Sequence, residues 1–154
     1  KSAAEWLRRI QKHADNGNAD AQVQLGEAYR TGQNGLKKSL KRAFEMYLIA
    51  AAQGHPGAQL QLGRCYGNGQ GIEVNLYGAA LWYRRAAEQG YPPAQYNLGE
   101  MFCDGEGVAQ SYDEAVKWLR LAAAQGHAGA NYNLSAYYAH GRSVPQDLDE
   151  ALRL

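Results

Sequence analysis

The chain has 154 residues, 45% of them apolar and 20% charged, which excludes a disordered segment and allows a sizeable buried core. Its formal net charge of +1 argues against a surface built throughout for nucleic acid. Two cysteines, Cys65 and Cys103, do not make a disulfide framework, and no apolar run reaches the length of a membrane span.

Residues 1–16 carry a helical pattern and are expected to form a leading helix, with Trp6, Leu7 and Ile10 facing solvent. The next repeat covers about residues 18–54, and inside it Ala21-Gln22-Val23-Gln24-Leu25-Gly26-Glu27-Ala28-Tyr29 begins a phrase that returns three times. It recurs over Ala58–Tyr66, Ala94–Phe102 and Ala130–Tyr138, at spacings of 36 or 37 residues. Such self-similarity is the mark of a stacked repeat architecture, which offers long surfaces rather than an enclosed pocket. The first loop is longer by one residue around Asn34-Gly35, which accounts for the 37-residue spacing. Lys37, Lys38, Lys41 and Arg42 crowd the start of the following helix, where positive charge opposes the macrodipole. This makes them a candidate patch for an acidic partner. The charge is uneven beyond that cluster. Residues 1–47 hold nine Lys/Arg against five Asp/Glu, and the rest hold seven against ten.

The second repeat, about 55–90, opens on His55. The same slot reads Asn18, Tyr91 and His127 elsewhere, which suits a polar cap better than a metal site, since stacked repeats set these residues in a row. Gly67, Gly69 and Gly71 recur in phase with the repeat and are read as turn residues; no strand precedes them to make a phosphate loop.

The third repeat, about 91–126, shows how one unit folds. Pro92-Pro93 suits a first helical turn, and Ala94, Leu98 and Phe102 form a stripe. Asp104-Gly105-Glu106-Gly107 ends that helix. Ser111 with Glu114 reads as a capping box opening a second helix, whose buried stripe is Ala115, Trp118, Leu119 and Ala122. Gln125-Gly126 closes it. The cap slot reads Ser39, Asn75, Ser111 and Asp147, all good N-caps. Gly26, Gly63 and Gly99 stand inside helices at a cost of about 1 kcal/mol each, and a close approach of the paired helix would explain them. The last repeat, from 127, stops at Leu154, and the whole is expected to be a fragment of a longer chain.

The string from Ala94-Gln95-Tyr96-Asn97-Leu98-Gly99 to Gln125-Gly126-His127 resembles a Sel1-like repeat, and the resemblance extends over essentially the whole chain. The period also separates it from tetratricopeptide repeats, which run at about 34 residues. Val23 and Leu60 replace the usual Tyr, Met46 the Trp, and Ser135 the Gly. The resemblance implies an all-α fold, a right-handed superhelix of antiparallel helix pairs, and a role in gathering other proteins.

In such a superhelix the first helix of each pair lines the concave side. Tyr96, Tyr132, Asn97, Asn133 and Arg64 are the expected groove residues, with aromatic anchors and amides suited to a peptide. Tyr96 and Tyr132 packing between repeats is the alternative. Nothing in the sequence supports catalysis, a metal or a cofactor. Ser-x-x-Lys and His-Glu-x-x-His are absent, and the acidic residues sit mostly at caps and loops. The expected function is a non-enzymatic scaffold for a peptide or protein, with a regulatory or targeting module of a larger enzyme or membrane-associated signalling protein as the alternative. The scarce cysteines lean towards a reducing compartment.

Overall fold

The computed structural model describes residues 2–140. Among the described residues there are eight α-helices of 13 residues each, and no strand. They are α1 (Ala3–Asp15), α2 (Ala19–Thr31), α3 (Leu40–Ala52), α4 (Pro56–Asn68), α5 (Leu76–Glu88), α6 (Pro92–Asp104), α7 (Tyr112–Ala124) and α8 (Ala128–His140). The helices pack as two compact units, the first ending at Trp82 and the second beginning at Tyr83, within α5. The expected cap Asp147 and the apolar Leu152 and Leu154 lie outside the described residues.

Most of the helices start where the sequence supplies a side-chain acceptor; α6 is the exception, with Tyr91 at its N-cap and no side-chain bond. The Ser39 and Ser111 hydroxyls accept from the amides of Arg42 and Glu114, and the Asn75 side chain accepts from Gly78. The box predicted at Ser111 is only half made. The Ser111 N–H donates instead to the carbonyl of Phe102, at 2.9 Å, so Glu114 has no donor to reach back for. Ser39 and Asn75 bond the carbonyls of Tyr29 and Tyr66 in the same way, each at 2.8 Å. One repeated bond therefore closes the hairpin loop after α2, α4 and α6.

Two kinds of glycine recur for different reasons. Gly126 has φ +88° and nothing within 4 Å of where a Cβ would lie, so it serves the backbone turn after α7. Gly99 is helical, and a Cβ there would lie 2.9 Å from Leu119 Cγ on α7. Gly26 is the counterpart in the first unit, with the Tyr47 ring 2.7 Å from the same point. The predicted close approach of paired helices is thus present at both positions.

The core of the first unit gathers Ala43, Tyr47, Ala50, Ala51, Ala58, Leu62 and Cys65 from α3 and α4. Ile10 and Ala14 of α1 pack with Ala21 and Leu25 of α2. Ile10 is buried, and Trp6 and Leu7 are half-buried against that cluster, contrary to the expectation that they face solvent. Packing of α1 on α2 covers them. The second unit centres on Val116, Leu119, Ala122, Ala130, Leu134, Tyr137 and Tyr138.

Gln22, Gln59 and Gln95 stand outside the apolar stripes of their helices. All three are buried, and their amides donate to the carbonyls of Ala14, Ala51 and Ala87 in the preceding helix, at 3.2, 3.3 and 3.2 Å. Gln22 and Gln95 also accept from Gln53 and Gln125 at the end of their own repeat's second helix, at 2.7 and 3.0 Å. Each such amide joins three helices with its hydrogen bonds satisfied. Gln95→Leu is expected to lower stability by about 1 kcal/mol, since the donor and acceptor left behind retain other partners or solvent. A denaturation midpoint equal to wild type would show that the amide contributes nothing.

Candidate functional site

In the second unit, Tyr96 and Asn97 lie on α6, and Tyr132 and Asn133 occupy the matching slots of α8. Tyr96 is half-buried. Its ring stacks on His127 at 4.5 Å, and its hydroxyl donates to Glu100 at 2.8 Å. Burial, and the hydrogen bond to Glu100 after it, push the Tyr96 hydroxyl above its ordinary pKa. Asn133 also donates to Glu100, at 3.3 Å, so one carboxylate joins the two helices. Tyr132 differs from Tyr96 in that 77% of its surface is exposed. Asn97 is half-buried. The structure thus brings Tyr96, Glu100, His127 and Asn133 together as a fixed frame and leaves the Tyr132 ring in solvent.

In the first unit, Arg64 is exposed on α4. Its charge contributes to the low pKa of Glu27, although the main cause is the hydrogen bond from Arg30, with the Tyr47 hydroxyl donating from 3.0 Å. Tyr47 is buried, and burial followed by the adjoining Glu27 carboxylate raises its own pKa. Lys37, Lys38, Lys41 and Arg42 are all exposed around the start of α3. Arg42 lies over the Tyr29 ring at 5.7 Å, and the three lysines form no ion pair among the described residues. A hollow lined by Tyr29, Leu36, Lys37, Lys38, Ser39 and Arg42 opens there.

The histidine slot proves to be the N-cap of the first helix in each pair. Nδ1 of His55 and of His127 accepts from the amides of Ala58 and Ala130, each at 3.1 Å. This leaves Nε2 of His55 as the donor towards Asp20, at 2.8 Å. Burial pushes the Cys65 thiol up to about 11, which makes it a packing residue of low reactivity. Cys103 is half-buried and touches the Tyr137 hydroxyl. No helix among the described residues is long and apolar enough to cross a membrane.

Comparison with known proteins places this geometry. The Sel1 repeat model matches residues 19–55, 56–91, 92–127 and 128–154. A crystal structure of a protective antigen from uropathogenic Escherichia coli strains, described as displaying an SLR fold, is 37% identical with a TM-score of 0.93, over 96% of this chain and 31% of that one. A Sel1 repeat protein from Oxalobacter formigenes is 34% identical with a TM-score of 0.89, over 96% of this chain and 60% of that one. Chitin synthase regulatory factor 2 of Schizosaccharomyces pombe is 38% identical over 77 residues, which are 47% of this chain and 15% of that protein. The chain therefore spans less than two thirds of each of these relatives. With four matched repeats, all-helical pairs and two solved Sel1-type structures of the same fold, the chain belongs to the Sel1 repeat family.

Proposed function

We propose that the chain is a non-enzymatic interaction module that holds a peptide or protein segment in a concave groove along the first helices of its repeats. Tyr132 would be the aromatic anchor. Asn97 and Asn133 would bond a partner backbone. Tyr96 belongs to the same set and contributes by holding Glu100 and Asn133 in place. The observation that carries this reading is the Tyr132 ring, 77% exposed beside a frame in which Tyr96 and Asn133 both donate to Glu100. An exposed ring with rigid support suits a binding hot spot.

Panning of a displayed random-peptide library tests it. Selected peptides are expected to lose at least about tenfold in affinity for Tyr132→Ala combined with Asn97→Ala, with little change in thermal stability. Tyr96→Ala alone should lower the melting temperature, because its ring and hydroxyl are both in use. Equal binding by the double variant overturns the groove assignment.

A second reading is a regulatory or targeting part of a larger enzyme or membrane-associated signalling protein. It is favoured by the fission-yeast relative, a regulatory factor in which the matched segment is 15% of the protein. In that reading the same surface recruits, and the chemistry resides elsewhere in the longer chain.

A further inference from the structure

The repeats of this chain act as controls for one another. At three surface slots the first and third hairpins are polar or charged, and the second is apolar. Val74 stands where Lys38 and Gln110 stand, Tyr77 where Lys41 and Asp113 stand, and Leu81 where Glu45 and Lys117 stand. All nine residues are exposed, Val74 at 62%, Tyr77 at 66% and Leu81 at 43%. Ile72 and Leu76 are exposed beside them. The fold therefore tolerates polar groups in these slots and does not need the apolar ones. A contiguous apolar strip on a soluble surface marks an interaction site.

The strip adjoins the lysine cluster within the first unit. Gly71 abuts the start of α3 closely enough that a Cβ there would lie 2.4 Å from the Leu40 carbonyl oxygen and 3.1 Å from Phe44 Cβ. Ile72 follows Gly71 and Lys41 follows Leu40, so an exposed apolar residue and an exposed cationic one flank this close contact. Lys37, Lys38 and Lys41 have no ion pair among the described residues, and Tyr29 and Leu36 are among the residues that line the hollow beside them.

We propose that this surface binds an acidic peptide segment that also carries aliphatic or aromatic residues. The lysines would meet the carboxylates, and the strip of Ile72, Val74, Tyr77 and Leu81 would bury the apolar side chains. Charge complementarity selects the acidic character and speeds encounter, while the desolvated rings and methyls supply most of the affinity. Glu73 is exposed between Ile72 and Val74, which keeps the partner's carboxylates at the lysines and off the strip. A nucleic acid would leave the strip uncovered. None of Tyr96, Tyr132, Asn97, Asn133 and Arg64 belongs to this surface, so its failure would leave the groove reading standing.

Fluorescence anisotropy tests the proposal with a labelled peptide that has one half of Asp and Glu and one half of Leu and Phe. It should bind wild type with an affinity that falls as salt is raised. The triple variant Val74→Gln, Tyr77→Asp, Leu81→Lys copies the third hairpin and should keep the melting temperature while losing at least about tenfold in affinity. Lys38→Glu with Lys41→Glu should weaken binding and flatten its salt dependence. The proposal is overturned if a peptide with Ser in place of Leu and Phe binds equally well, or if either variant binds like wild type. It is also overturned if phosphatidylserine vesicles bind and the peptide does not.

Discussion

Gly99→Leu should abolish cooperative folding of the second unit. A Cβ at this position would lie 2.9 Å from Leu119 Cγ and 3.3 Å from the Ala115 carbonyl oxygen. Leu119 is fully buried, and a carbonyl inside α7 cannot move aside without opening the helix. The added side chain would thus force α6 and α7 apart, beyond the roughly 1–3 kcal/mol of ordinary overpacking. Gly63→Leu, in the matching slot of α4, is expected to unfold the first unit. Gly99→Ser should be much milder, since the fourth repeat carries Ser135 in this slot. Thermal unfolding followed by circular dichroism measures the difference. A Gly99→Leu protein that melts close to wild type would mean that the pair is not held at this contact.

Tyr47→Ala should cost about 3–5 kcal/mol, the range for truncating a buried aromatic side chain. Tyr47 is fully buried, fills the notch left by Gly26 and donates to Glu27 at 3.0 Å. Tyr47→Phe retains the ring and should lose about 1 kcal/mol, the worth of a hydrogen bond whose acceptor keeps another donor. Because Tyr47 and Gly26 are complementary in shape, their substitutions should not be additive. Gly26→Leu should be better tolerated in the Tyr47→Ala background than in wild type. Chemical denaturation of the four proteins checks this. Additive losses would show that the ring does not occupy the space the glycine vacates.

The frame was legible because local chemistry and periodicity agree in each copy. The Ala-Leu-aromatic stripes, the N-caps at Ser39, Asn75 and Ser111 and the interior Gly26 and Gly99 play the structural parts assigned to them. Two features required three-dimensional neighbours. The buried glutamines look like ordinary surface residues until the carbonyl ends of the preceding helices are placed beside them. The Ser111 N–H turns to the Phe102 carbonyl because the loop brings that oxygen within reach, which three-residue spacing alone does not reveal. For the candidate site, sequence offered Tyr96 and Tyr132 as equals. They diverge because His127 stacks on the first, while 77% of the second is open to solvent.

The most direct test of the interaction reading is a backbone NMR titration of the protein with a library-selected peptide. Shifts are expected to concentrate at the amides of Tyr132, Asn133 and Asn97, with the helix pairs otherwise unchanged. Perturbations that spare these residues and cluster elsewhere, or saturable turnover of a small molecule with no peptide binding, would contradict it.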